Sequence, residues 1–300
     1  MSEHAFVSVI VPVRGAEGTI AECIKSLLAL NYPADRYEVI LVDNGATDRM
    51  SRILAGQGVR VLRESRKGSY VARNTGAWAA RGDIFAFTDA DCVADPAWLD
   101  RLIVEFADPA VGCVAGEVAS PRSVKPLEEF ARRLNLLSQD TSLRHPFRPY
   151  AITANCAYRA DVFRQLGGFR AEMQSGGDAD LAWRMQLGLG LRIARSADAV
   201  VWHSHRASLR DLLAQSQKYA MSTVDLARLY NLPRPPLIRR IAGLALAALR
   251  AVVVVPVAWA GTRGRWGDAD LVAPICEVTW RAGEVAGLLR SNRDPLANRR

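Results

Sequence analysis

The chain has 300 residues, half of them apolar, enough for one large α/β domain or a domain with an appendage, and too apolar for disorder. Lys plus Arg and Asp plus Glu balance at 24 each through residue 205 and then stand at 15 against 7, so the whole formal charge of +8 lies in the last third. That distribution argues against nucleic acid, which wants a basic core, and points to an anionic membrane surface beside an apolar, basic tail.

The N-terminus, MSEHAFVSVIVPV, has no basic n-region and runs straight into a strand, so no secretory signal is expected. FVSVIVPV (6–13) is apolar almost throughout, as a strand buried on both faces should be. Ile20, Ile24, Leu27 and Leu28 predict a helix over 17–30, which Pro33 stops. YEVILVDN (37–44) is the next strand, and Thr47 can cap a helix running to about Gly56. VRVLRE (59–64), a helix near 70–81 and DIFAFTD (83–89) complete a βαβαβαβ series, after which Asp95-Pro96 opens a further helix. The alternation predicts an α/β fold, a Rossmann-like, mostly parallel mixed sheet flanked by helices, with ligands at the carboxyl ends of its strands.

Residues 119–150 break this rhythm with Pro121, Pro126, Pro146 and Pro149 and read as an irregular excursion over the site; the sheet resumes near 151–158 and at 191–204. Cys23, Cys92, Cys113, Cys156 and Cys276 are scattered, odd in number and never in a C-x-x-C pair, which predicts reduced thiols in a cytoplasmic protein. From Ser208 to Tyr230 the spacing is helical, PRPP (233–236) is a hinge, and IAGLALAALRAVVVVPVAWAG (241–261) is apolar apart from Arg250. A mid-span arginine costs about 3 kcal/mol on insertion scales, and Pro256 adds a kink. Arg239 and Arg240 on one side and Arg263 and Arg265 on the other can anchor an interfacial or re-entrant segment. The sequence leaves open whether the segment spans the membrane, lies on it or packs as a buried helix.

FTDADC carries the sharpest chemical signal. Asp89 and Asp91 are alternate residues of an extended segment and face the same way, so they can hold a hard divalent cation or a sugar hydroxyl. VDNGATD puts Asp43 at a strand end, where a carboxylate can accept a base N–H, while Asp48 reads as a first-turn helix residue. SRKGSYVARNTG offers Lys67 and Arg73, the latter with a planar fork for phosphate or a base carbonyl, or for a salt bridge to Asp43 or Asp89. In SGGDADLAWRMQ, Asp178 opens a helix as an N-cap or as a general base, and Asp180 with Arg184 forms a structural i, i+4 pair. AVVWHSH ends a strand with His203 and His205, one of them a candidate metal ligand.

Together VSVIVPVRGAEGTI, YEVILVDNGATD, KGSYVARNTG, GDIFAFTDADC, ITANCAYRADVFRQLGGF, GGDADLAWRMQLGLGLRI and VVWH, in that order across 7–205, resemble family 2 glycosyltransferases of the GT-A fold. The resemblance implies a catalytic domain over 1–206, with its nucleotide-binding half to about 118 and an acceptor-side half from about 119; the basic, apolar and helically spaced remainder, 207–300, is expected to be a helical, membrane-associated region. It implies that Pro12 and Val13 line the nucleoside pocket and that Asp43 binds the base. Arg73 would assist the base or phosphate, and Asp89 would contact the ribose or metal. Asp91 would ligate Mg²⁺ or Mn²⁺ with His203, and Asp178 would be the catalytic base. Asn155 falls in the family's acceptor-side segment. The implied reaction is inverting transfer from a UDP- or GDP-linked sugar to a glycan or lipid-linked acceptor, at the inner face of the cell membrane. One departure stands out: Gly177 occupies the place where the family often has Glu before the catalytic Asp. Only that departure favours a nucleotide-sugar-binding subunit without turnover. A sugar nucleotidylyltransferase would want a Gly-rich basic loop after strand one, and a dehydrogenase G-x-G-x-x-G; VPVRGAEGTI is neither.

Overall fold

The computed structural model describes residues 5–45, 48–54, 56, 58–120, 129–130, 133–134, 136–204, 208–234, 236–261 and 269–293. The chain forms two compact units: 1–121, 137–173 and 177–204 make the first, and 122–136, 174–176 and 205–300 the second. Short pieces of the middle of the chain therefore cluster with the C-terminal helices.

The first unit is built on an eight-stranded sheet in the order β3-β2-β1-β4-β7-β6-β8-β5. β1 (Val7–Val13) lies parallel to β2 (Tyr37–Asp43) and to β4 (Ile84–Thr88), and β3 (Arg60–Arg63) flanks β2 in parallel. β7 (Asn155–Arg159) runs antiparallel to β4 and to β6 (Val111–Ala119). β8 (Arg192–His203) pairs parallel with β6, and β5 (Cys92–Ala94) pairs antiparallel with β8. The sheet is mixed, as its alternating pattern predicts, with β5 and β6 added to the strands legible in the sequence.

β1 explains why the sheet needs helices on both faces. Val7, Val9, Val11 and Val13 are buried in one cluster with Ile20, Cys23, Ile24 and Leu27 of α1 (Ile20–Leu28). Ile10 points the other way, toward α3 (Ser69–Ala79), where a Cβ on Gly76 would come within 2.6 Å of it. Glycine is thus what lets α3 lie close on the sheet. α2 (Asp48–Leu54) follows β2; Thr47, its expected cap, lies outside the described residues, and so does the Asp48 side chain.

Two sequence expectations need correction. Asp95-Pro96 does not open the next helix directly. Asp95 Oδ1 accepts from Ala97 N at 3.0 Å and its carbonyl from Trp98 N at 2.9 Å, a turn that delivers the chain into α4 (Trp98–Ile103). The Asp side chain is spent on the turn, so the helix starts two residues later than the Asp-Pro signal implies. Asn155, placed on the acceptor side, is fully withdrawn from solvent and fully committed. It donates to the carbonyls of Glu117 (2.7 Å) and Ala199 (2.8 Å) and accepts from Trp98 Nε1 (2.8 Å), tying β6, β8 and α4 to β7.

α5 (Gln139–Leu143) and α6 (Ala160–Gln165) border β7, and α7 (Gly177–Leu189) follows, burying Leu181, Ala182, Trp183 and Met185. Inside α7, Asp180 has no exposed surface and accepts from Arg184 Nε at 2.9 Å and Arg170 Nε at 3.0 Å. Arg184 also donates to the carbonyls of Leu166 (2.6 Å) and Gly168 (2.7 Å), so the pair read as structural fixes the loop before the helix as well.

In the second unit α8 (Leu209–Leu229) starts on Ser208, whose side chain accepts from Asp211 N at 3.2 Å. α9 (Leu237–Gly261) and α10 (Ala269–Arg293) follow, and α10 packs against both other helices. Gly283 and Gly287 let α8 and α10 approach: Cβ atoms there would lie 1.6 Å from Ser216 Oγ and 2.5 Å from the Gln217 carbonyl. Arg240 reaches Glu284 at 2.6 Å across the α9–α10 contact. Among the described residues no helix is long and apolar enough to cross a membrane. Arg263 and Arg265 lie outside the described residues.

Removing the shared acceptor in Asp180→Ala leaves Arg184 half-withdrawn from water without its counterion, which costs about 3 kcal/mol in the equilibrium unfolding free energy. Urea titration of the variant against the parent chain reads this directly. A loss under about 1 kcal/mol would mean that the pair is screened like a surface bridge.

Candidate active site

The strand order reverses at β1: β2 lies on one side and β4 on the other, the place where open α/β sheets form a crevice at their carboxyl ends. The β1–β4 pairing ends at Ile10 and Phe87, whereas β1 keeps pairing with β2 to Val13 and Asp43. Pro12 therefore lies past the end of the β1–β4 ladder, where a residue without N–H breaks no bond to β4. Val13 is buried and its carbonyl accepts from Asn44 N at 2.9 Å. Asp43 is buried at the end of β2, and its Oδ1 accepts from Gly45 N at 3.2 Å within its own turn.

The next residue, Asn44, carries more of the local architecture than the sequence signals. Its Nδ2 donates to the carbonyls of Glu64 (3.0 Å) and Arg66 (2.6 Å), and its Oδ1 accepts from Gly68 N at 2.9 Å. It thus binds the loop that starts α3 to the end of β2. Glu64 reinforces this from the β3 side, accepting from Thr75 Oγ1 at 2.6 Å and Arg66 N at 2.8 Å. The Arg66 and Thr75 donors push its carboxyl down to about 2. Asn44 has only its position after a strand-end Asp to betray it.

α3, positioned in this way, aims Arg73 inward. Arg73 is 3% exposed and its guanidinium pairs through Nη2 with Asp89 Oδ1, which settles the salt-bridge alternatives in favour of Asp89. Asp89 remains partly open, as does Asp91 two residues on. The turn bearing both is held from α1, where Thr19 Oγ1 donates to the Ala90 carbonyl at 2.9 Å and Cys23 Sγ to the Asp89 carbonyl at 3.5 Å. It is held from β8 as well: Cys92 pairs with His203, and Ser204 N donates to the Asp91 carbonyl at 3.0 Å. This pairing brings His203 Nε2 within 3.3 Å of Asp91 Oδ1, across more than a hundred residues of chain. His205 lies outside the described residues.

Asp91, Cys92 and His203 bring their ligand atoms within 4.8 Å of one another. A hard oxygen and an imidazole nitrogen suit Mn²⁺ or Mg²⁺ with further oxygen donors. The soft thiol of Cys92 does not; it is buried and lies 3.9 Å from the Ala154 carbonyl. The donor set therefore fits a hard divalent ion on Asp91 and His203. All five cysteines are free and buried, in keeping with reduced thiols.

Asp178 stands in the first turn of α7 and keeps part of its surface open. Its Oδ1 accepts from Ala179 N at 3.1 Å and from Tyr70 Oη at 3.3 Å. Burial pushes its carboxyl above the usual range, opposed by the Ala179 N–H, the Arg73 charge and the Tyr70 hydroxyl. The buried Tyr70 is the residue that sequence reasoning passed over. Its signal was present only as an aromatic three positions before Arg73, on the same face of α3. The sequence-designated residues thus meet in two contacts, Arg73 with Asp89 and Asp91 with His203; Asp178 meets the undesignated Tyr70, and Asp43 bonds within its own turn.

Residues 8–167 match the model of glycosyl transferase family 2. The pre-mycofactocin glycosyltransferase of Mycobacterium tuberculosis is 30% identical over 325 residues, covering 95% of this chain and 67% of that protein. Glycosyltransferase AglE of Haloferax volcanii is 28% identical, covering 95% and 97%. Among solved structures, the mannosyltransferase PcManGT from Pyrobaculum calidifontis, in complex with GDP-Man and Mn²⁺, superposes with a TM-score of 0.64 at 20% identity over 98% of this chain and 89% of that one. With half of the chain matched by the family model, and with strand ends, acidic turn and histidine assembled as described, the chain belongs to glycosyltransferase family 2.

Proposed function

We propose that the protein transfers a sugar from a nucleoside diphosphate, UDP- or GDP-linked, to an acceptor hydroxyl with inversion at the anomeric carbon. The observation that carries this is the acidic turn after β4, where Asp91 meets His203 at 3.3 Å beside the crevice at β1. Structural neighbours solved with GDP-Man and Mn²⁺, and with UDP, support the donor class.

In this reading Pro12, Val13 and Asp43 bound the nucleoside, with the Asp43 carboxylate accepting a base N–H. Arg73, held by Asp89, stabilises charge near the diphosphate, and Asp89 keeps an open oxygen for a ribose hydroxyl. A Mg²⁺ or Mn²⁺ ion on Asp91 and His203 would neutralise the departing diphosphate. Asp178 takes the proton of the acceptor hydroxyl while that oxygen bonds to the anomeric carbon and the bond to the diphosphate oxygen breaks. The raised carboxyl suits a base, since its conjugate acid is then less strong.

The acceptor is a glycan or a lipid-linked molecule of the cell envelope, and the second unit supports a membrane setting at the cytoplasmic face. The outward face of α9 is apolar from Ile238 to Val253, with Ile238, Ile241, Leu246, Leu249, Val252 and Val253 exposed. Arg239 and Arg250, about three turns apart, share one border of that stripe. The range 237–261 contains no acidic residue. An apolar stripe bordered by arginines is the arrangement of a helix lying in an anionic interface.

Three measurements test the reading. Calorimetric titration with UDP and GDP should show binding of one nucleotide with Mn²⁺ that is lost with EDTA or in Asp91→Ala; binding of neither to folded protein would reject the donor class. Asp178→Asn should keep that nucleotide affinity while product formation falls by roughly a hundredfold or more. The parent chain should sediment with vesicles of phosphatidylcholine mixed with phosphatidylglycerol and stay in solution with phosphatidylcholine alone. Replacement of both Leu249 and Val252 by Glu should abolish the sedimentation, and an unchanged bound fraction would remove α9 from the contact.

A further inference from the structure

We propose that Tyr70 is a positioning residue for the Asp178 base, and that Gly177 stands before that base because the Tyr70 ring fills the space a side chain there would need. The proposal rests on the reading of Asp178 as the base and adds to it the residue that aims the carboxylate.

The geometry is compact. Tyr70 is 5% exposed and lies on the inner face of α3, three residues before Arg73. Its ring stacks on Phe169, with centroids 5.2 Å apart and planes at 29°, and the Arg73 guanidinium carbon lies 5.7 Å from its centroid. The ring is therefore clamped, and its hydroxyl points at one place, Asp178 Oδ1 at 3.3 Å. The same oxygen atom of Asp178 accepts from Ala179 N at 3.1 Å. Two donors on Oδ1 fix the plane of the carboxylate and leave Oδ2 as the lone pair carrier for an incoming hydroxyl.

The proton of this contact belongs to Tyr70. Burial and the Asp178 charge push the phenol well up, with Arg73 and the N–H groups of Asp178 and Gly177 acting against them. Tyr70 therefore donates and Asp178 accepts. The other groups facing Asp178 come from β7, where burial keeps Cys156 and Tyr158 well above their usual values and hence neutral. Asp180, on the same helix, is taken up by Arg170 and Arg184. Tyr70 and Arg73, both on α3, are thus the side chains that favour ionised Asp178. Arg73 also pairs with Asp89, so α3 links the acidic turn after β4 to the base on α7.

Gly177 supplies an independent argument. A Cβ built there would lie 2.8 Å from Tyr70 Cε2 and 2.9 Å from Cδ2 and Cζ, closer than such contacts occur. Its backbone is not in the left-handed region, so glycine is required by the neighbouring ring and by no property of its own dihedrals. The missing Glu of the family's frequent pattern accordingly needs no loss of catalysis to explain it: the volume is occupied by an aromatic ring that touches the base directly.

The test is a kinetic cycle on the full chain, with nucleotide affinity by calorimetry as the control for folding. Tyr70→Phe keeps the ring and removes one donor. The expected result is a roughly tenfold to hundredfold fall in kcat with the donor KM unchanged. The acid limb of the pH–rate profile should also move to higher pH, because the carboxylate has lost a donor that favoured its ionised form. Gly177→Ala should lower kcat in the parent chain and have little effect in Tyr70→Ala, where the ring no longer opposes the new methyl group. An unmoved kcat and acid limb in Tyr70→Phe, with Asp178→Asn inactive, overturns the role of Tyr70 alone. Equal effects of Gly177→Ala in both backgrounds overturn the steric coupling. Full activity of Asp178→Asn rejects the base assignment, and the proposal falls with it.

Discussion

A guanidinium almost wholly removed from water cannot stand without a carboxylate, and Arg73 meets that requirement through Asp89. The pair joins α3 to the turn after β4, and so joins the two elements that border the crevice on the β4 side. Everything that aims Arg73 becomes part of the site: the Asn44 bonds that start α3, the Glu64–Thr75 contact that steadies it, and the missing side chain of Gly76 that lets it lie on β1. A buried ion pair is an uncertain source of stability, but it is a strict source of geometry, because neither partner can move away without stranding the other.

The far end of the sheet supplies the complementary constraint. Three residues of β5 pair with the end of β8, and this short ladder fixes the backbone of Asp91 and Cys92 against His203 and Ser204. Asp91 and His203 become neighbours only because β8 lies beside β5 in the sheet and pairs with it antiparallel. Asn155 serves the same end from inside, joining β6, β7, β8 and α4 with one side chain. The family resemblance puts it on the acceptor side, but each of its side-chain polar atoms is spent on the scaffold.

The two units obey different packing logic. In the first, apolar strands are sandwiched between helices, so burial is set by alternation along β1 and by the repeat along α1. In the second, Gly283 and Gly287 bring helix backbones together, aromatic and sulfur groups such as Phe130, Trp280 and Cys276 fill the remainder, and α9 turns a row of valines and leucines outward. Exposed apolar rows of that length are unusual on a protein that meets only water.

The sequence by itself determined the βα alternation, the strand ends at Asp43 and Asp89, the structural pairing of Asp180 with Arg184 and the order of motifs that marks the family. These are legible because they are local: periodicity, strand-end carboxylates and i, i+4 spacing act within a few residues. It also predicted β8 as a strand, yet gave no means of knowing which strand would lie beside it. β6 escaped because its glycines and Glu117 interrupt the apolar run, and β5 because three residues carry no period. What only the tertiary structure decided is which distant groups share a volume. The nearness of His203 to Asp91, the choice of Asp89 as the partner of Arg73, the commitment of Asn155 to the scaffold and the exclusion of a side chain at 177 by the Tyr70 ring all depend on sheet order and helix placement, and non-local packing of that kind leaves no periodic trace in a single chain.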